Sequence, residues 1–105
     1  MKTTKIKTID INCKEWFDSL NGNSYFAGTI IINLQMKNSV TLNIPFQYGY
    51  GDIYRYKAFD IIKKELSCFR SSDTIDVYWR AYKKYNIITR HTLQKNCKKR
   101  ELTNI

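Results

Sequence analysis

A chain of 105 residues that is 43% hydrophobic and 14% aromatic holds enough apolar material for one core and one domain, which excludes a disordered chain and argues against a two-domain protein. No apolar run approaches the ~20 residues of a membrane-spanning helix, and MKTTKIKTID lacks the apolar stretch of a secretory signal, so a cytoplasmic protein without membrane contact is expected. The formal charge is +9, with five Lys/Arg against four Asp/Glu in residues 1–53 and thirteen against five in residues 54–105. The positive field therefore belongs to the second half, and it favours encounters with nucleic acid, phosphate ligands or acidic proteins without selecting among them.

In chain order, Ile9, Ile11 and Cys13 alternate with Asp10 and Asn12, the period-2 pattern of a half-buried strand over 5–13. In KEWFDSLNGN (14–23) the apolar Trp16, Phe17 and Leu20 do not alternate. That favours a short helix closed by Gly22 in a left-handed cap, with an Asn21-Gly22 hairpin turn as the alternative. Phe26, Gly28, Ile30, Ile32, Leu34 and Met36 then share one parity and predict a long strand with one face in the core. After the turn at 37–39, Val40, Leu42, Ile44 and Phe46 repeat that parity and complete a hairpin, with Pro45 at a strand end or sheet edge because it has no N–H to give.

Residues 52–69 place Ala58, Phe59, Ile62, Leu66 and Phe69 at spacings of three and four, which predicts an amphipathic helix N-capped by Asp52. RSSD (70–73) breaks that pattern. Ile75, Val77, Trp79 and Ala81 then alternate with Asp76, Tyr78, Arg80 and Tyr82, which predicts a second hairpin turning near Lys84, Tyr85 and Asn86. A basic tail over 94–105 is a last short strand or helix. The expected architecture is a single α+β domain: an antiparallel sheet of about five strands with one main helix on one face and the other face exposed.

Chemistry-bearing residues are sparse. Cys13, Cys68 and Cys97 lie far apart, with only His91 as a further soft ligand, so neither a metal nor another cofactor is expected. No elbow or other local signature joins His91 to a nucleophile, the nine acids form no close pair of the kind a metal-dependent nuclease needs, and a non-enzymatic protein is expected. Gly49-Tyr50-Gly51 before a helix invites comparison with a phosphate loop. The third glycine of the dinucleotide fingerprint is missing, however, and Asp52 puts a carboxylate where the anion would sit.

The predicted second hairpin offers more. Tyr78, Arg80 and Tyr82 would share a strand face with Lys83, Lys84 and Arg90 nearby, so rings would stack bases while cations follow phosphates. The alternative is that these tyrosines only pair across strands and the lysines keep the sheet solvated. Lys98, Lys99 and Arg100 add local positive potential in the tail. In PFQYGYGDIYRYK (45–57) the tyrosine density exceeds what a turn requires, and Tyr48, Tyr50 and Tyr54 are candidate anchors for a protein interface.

KEWFDSLNGNSYF (14–26), PFQYGYGD (45–52) and CKKREL (97–102) together resemble, in the same order and over most of the chain, a family of small uncharacterised proteins carried by bacteriophages and related mobile elements. The resemblance carries over no catalytic residue. It implies a phage accessory protein in the cytoplasm of a bacterial host, acting on host machinery or on phage nucleic acid. The expected function is nucleic-acid binding through a basic, tyrosine-containing surface. The alternatives are an inhibitor that binds a host defence protein, anti-CRISPR-like or otherwise, and a sponge for a phosphorylated signalling nucleotide.

Overall fold

The computed structural model describes residues 6–66, 69, 73 and 78–103. Strands β1 (Thr8–Asp18), β2 (Asn23–Ile32) and β3 (Val40–Tyr48) follow one another as antiparallel neighbours. Helices α1 (Ile53–Glu65) and α2 (Tyr78–Lys84) then carry the chain to β4 (Ile88–Gln94), and α3 (Lys99–Thr103) follows. The sheet order is β3-β2-β1-β4, with β4 parallel to β1. A parallel neighbour demands a long crossover, and the segment containing α1 and α2 supplies it. The fold is α+β as expected, but among the described residues the sheet has four strands and is mixed, where about five antiparallel strands were expected.

Strand alternation sorts the side chains into two faces. Ile9, Ile11 and Cys13 of β1, Phe26, Ile30 and Ile32 of β2 and Ile44 of β3 are buried together beneath Tyr54, Ala58, Phe59 and Ile62 of α1. Tyr78, Ala81 and Tyr82 of α2 join the same core, and Phe69 stacks on Phe59 with ring centroids 4.7 Å apart. Each fully buried side chain of the size of Phe59 or Ile62 contributes about 1.5–3 kcal/mol of transfer free energy. Gly28 sits within this face because β1 and β2 approach closely there: a Cβ would collide with the Asn12 carbonyl oxygen and lie 2.7 Å from Cys13 Sγ.

Several expectations are corrected. Residues 14–18 continue β1 instead of forming a helix, because the chain reverses in a tight turn. There Gly22 takes φ +70°, its N–H donates to the Asp18 carbonyl, and the Asp18 carboxylate accepts from Leu20 N–H and from the Asn21 amide. β2 stops at Ile32 although its alternation runs on to Met36. The cause is buried Asn33, at φ 53°, whose Oδ1 accepts the Lys7 and Thr8 N–H groups, and Leu34 and Met36 leave the core.

On β3 the pairing passes from Ile44 opposite Gly28 to Gln47 opposite Phe26, so the edge strand carries one extra residue at Pro45-Phe46. This bulge reverses the parity, and Phe46 faces away from α1 instead of closing its core. Asp52 stands at the N-cap of α1, but its side chain makes no cap hydrogen bond. The expected strand over Tyr78–Tyr82 is helical, because Tyr78, Ala81, Tyr82 and Tyr85 also fall at i, i+3, i+4 and i+7, and the core takes that face. Residues 74–77 of the expected hairpin, and Cys68, lie outside the described residues.

Candidate nucleic-acid interface

The sheet face turned away from α1 is built in rows by the register. Asp10 pairs with Ile31 on β2 and Arg90 on β4; Asn12 with Thr29 and Thr92, and Thr29 in turn with Asn43; Lys14 with Ala27 and Gln94; Trp16 with Tyr25, and Tyr25 with Tyr48. One end is therefore ionic, the middle carries amides and hydroxyls, and the other end is aromatic. The Arg90 guanidinium donates to both Asp10 carboxylate oxygens at 2.6 and 3.0 Å, and this pairing raises the arginine above its usual range. Thr92 Oγ1 donates to Asn12 Oδ1 at 2.9 Å. Asn12, Lys14, Thr29, Thr92 and Gln94 line a depression of about 290 Å³, with Cys13 and Gly28 also bordering it.

At the aromatic end Trp16, Tyr25 and Phe46 pack mutually, with Trp16 to Tyr25 at 5.4 Å and Tyr25 to Phe46 stacked at 5.2 Å with nearly parallel planes. The bulge at Pro45-Phe46 is what places Phe46 here. Ala27, Cys97 and Leu102 bury themselves against these rings, so α3 lies on this face instead of leaving it bare. Two bonds hold the tail: Cys97 N–H donates to the Glu15 carbonyl, and Glu101 accepts the Lys98 N–H in the manner of a capping box. The Lys99 ammonium stands 5.6 Å from the Trp16 ring centroid, a cation–π distance. From Tyr25 the rings continue outward to Tyr48 at 5.9 Å and Tyr50 at 6.5 Å, both edge-on and more than half exposed.

The loop at 49–51 serves this arrangement sterically. Gly49 is buried against Phe26, where a Cβ would strike the ring, and its N–H donates to the Ser24 carbonyl. Gly51, at φ 60°, turns the chain into α1. Tyr48 and Tyr50 flank Gly49 in sequence, and their rings meet edge-on.

The structure thus redistributes the residues singled out from sequence. Tyr78 and Tyr82 are about 95% buried on α2 and offer no stacking face, and Arg80 and Lys83 are exposed on that helix. Lys84 pairs with Asp73 at 3.4 Å and Arg90 with Asp10. Lys98, just before α3, and Lys99 and Arg100 on it are exposed, across the sheet from α2. Of the tyrosines considered as protein anchors, Tyr48 and Tyr50 are exposed, whereas Tyr54 is buried and its hydroxyl lies 2.8 Å from His91 Nδ1. The sheet joins Tyr48 and Tyr50 to the cations of α3, and it adds Asn12, Lys14, Trp16, Tyr25, Phe46 and Gln94. The only sequence signal for these was Pro45 inside an otherwise regular strand pattern.

The remaining reactive groups are quiet. Burial pushes the Cys13 thiol up to about 12 and also raises Cys97, to which Glu101 adds, so neither is a thiolate nucleophile near neutral pH. Partial burial and then Arg55 push His91 below its usual value, with Asp52 opposing. Among the described residues no cluster of three His, Cys, Asp or Glu side chains is arranged to hold a metal ion, and no helix is long and apolar enough to cross a membrane. Compared with protein-family models, curated proteins and solved structures, the chain matches none.

Proposed function

We propose that this chain is a non-enzymatic phage accessory protein that binds nucleic acid. One observation carries the reading: Arg80, Lys83, Lys98, Lys99 and Arg100 are exposed and none forms an ion pair among the described residues, whereas Lys84 and Arg90 are committed to carboxylates. Exposed cations that are not committed to carboxylates are available to neutralise phosphates and release condensed counterions, which gives association its salt dependence. Anisotropy titrations of labelled DNA and RNA oligonucleotides at 50 and 200 mM salt test it. Affinity falling at least tenfold over that interval is expected, and an absence of binding, or binding indifferent to salt, rules the reading out.

A protein partner, such as a host defence factor, is the second reading. Its support is the run of exposed Phe17, Leu20, Tyr48 and Tyr50 around the β1–β2 turn and the loop before α1, since exposed aromatic rings are common interface anchors. Co-purification from a bacterial host tests it: a stoichiometric partner lost on Tyr48→Ala/Tyr50→Ala supports it, and a partner retained by that variant places the contact elsewhere.

A further inference from the structure

We infer that the nucleic acid this protein takes is single-stranded and lies across the sheet face opposite α1, with unpaired bases stacked on Tyr48 and Tyr50 and phosphates followed by Lys14, Lys98 and Lys99. The inference rests on the nucleic-acid reading above and specifies its ligand. Three observations converge on one face. The ring path Trp16–Tyr25–Tyr48–Tyr50 runs outward in steps of 5.4, 5.9 and 6.5 Å and ends in two half-exposed rings. Cations flank its inner end, since Lys99 stands over Trp16, Lys98 and Arg100 adjoin it just before and within α3, and Lys14 occupies the neighbouring row. Beside the rings lies the depression of about 290 Å³, lined by the amides of Asn12 and Gln94 and the hydroxyls of Thr29 and Thr92.

Each feature answers to a different part of an unpaired strand. A π-face on a tyrosine takes any base, and only a base released from pairing can lie against it. Amides and hydroxyls supply both donors and acceptors for the exposed hydrogen-bonding edge of a base. A duplex keeps its bases stacked within the helix and presents phosphates alone to such a surface, so it uses the cations and leaves Tyr48 and Tyr50 idle. Three acids lie on or beside the face, Asp10 at its ionic end, Asp18 near Lys99 and Glu101 near Lys14, but Asp10 is paired with Arg90, the Asp18 carboxylate is occupied by the Asn21 amide and Glu101 by the Lys98 N–H.

The test compares a labelled 15-nucleotide single strand with the duplex of the same sequence at equal salt, for the wild type, Tyr48→Ala/Tyr50→Ala and Tyr48→Phe/Tyr50→Phe. The expected result is at least tenfold tighter binding of the single strand. The alanine variant should lose about tenfold or more of that affinity, because the rings on which the bases stack are gone. The phenylalanine variant should retain it, duplex binding should not move, and the salt slope should stay constant because tyrosine neutralises no phosphate. Salt-dependent binding that is equal for single strand and duplex, or unaffected by the alanine pair, overturns this inference and leaves the broader nucleic-acid reading standing. Failure to bind either form overturns both.

Discussion

Gly28 and His91 show how single side chains of this fold are constrained by what faces them. At Gly28 the obstacle is backbone: a methyl group would overlap the Asn12 carbonyl oxygen, and β1 cannot retreat without losing its pairing with β4 on the other side. Gly28→Ala is therefore expected to destabilise by about 3 kcal/mol, the upper part of the range for overpacking. It should be read as a lowered urea midpoint at unchanged m-value. At His91 the constraint is desolvation. The ring lies beside the Tyr54 hydroxyl and is held below its usual value by partial burial and then by the positive charge of Arg55, so the folded chain disfavours the imidazolium. The unfolded chain then binds more protons below about pH 6.5. His91 thus contributes stability that is fully present above that pH and is lost as pH falls through its lower folded value. Urea midpoints measured between pH 5 and 8 should decline on the acid side, and His91→Gln should remove part of that decline.

Among the elements, α3 illustrates dependence on tertiary packing. Five residues are too few to form a stable helix alone, so Lys99–Thr103 is held by Leu102, which is 2% exposed against Trp16, Tyr25 and Phe46. Leu102→Ala should cost about 2–3 kcal/mol, the lower part of the range for Leu→Ala in a core, and should loosen the tail before the main core yields. In a Trp79→Phe background the emission then reports Trp16 alone. A red shift at denaturant concentrations where far-UV dichroism is still native is the expected outcome, and coincident transitions would show α3 to be part of the main cooperative unit.

Local periodicity and its interruptions explain what the sequence disclosed. The first half of β1, β2 and most of β3 were legible because Ile9 to Cys13, Phe26 to Ile32 and Val40 to Ile44 alternate cleanly over a half-buried sheet, and α1 because Ala58, Phe59 and Ile62 repeat at three and four, whereas the rest of β1, with Trp16, was misread as a helix because its apolar residues do not alternate. α2 was misread because its seven residues fit both periods: alternation placed Trp79 and Ala81 inward, whereas the helix buries Tyr78, Ala81 and Tyr82 and leaves Trp79 half exposed. Phe46 was assigned to the wrong face because a bulge shifts parity without changing composition. Leu34 and Met36 continued an alternation that Asn33 ends through long-range hydrogen bonds to Lys7 and Thr8, which no local window contains. The candidate interface was hidden for the same reasons, since Trp16 and Phe46 meet only when both corrections are made.

For the molecule as a whole, a net charge of +9 says nothing about which side of the sheet carries the field. The fold divides the exposed cations: Arg80 and Lys83 belong to the layer of α1 and α2, and Lys98, Lys99 and Arg100 to the opposite face with the aromatic path. Four strands lie between them, so a single strand seated on Tyr48 and Tyr50 reaches the α3 group and not the α2 group. Counterion release makes that division measurable, because each cation that contacts a phosphate of a single strand adds about 0.7 to the slope of log affinity against log salt. Lys98→Ala/Lys99→Ala/Arg100→Ala is expected to lower the single-strand slope by up to about 2 when all three contact phosphate. Arg80→Ala/Lys83→Ala, which removes two positive charges against three, should leave it within error of the wild type. Anisotropy titrations from 50 to 300 mM salt give both slopes. Equal reductions in the two variants would mean that the field acts at long range without a seated strand, and a reduction confined to the α2 variant would move the binding face to the helical layer.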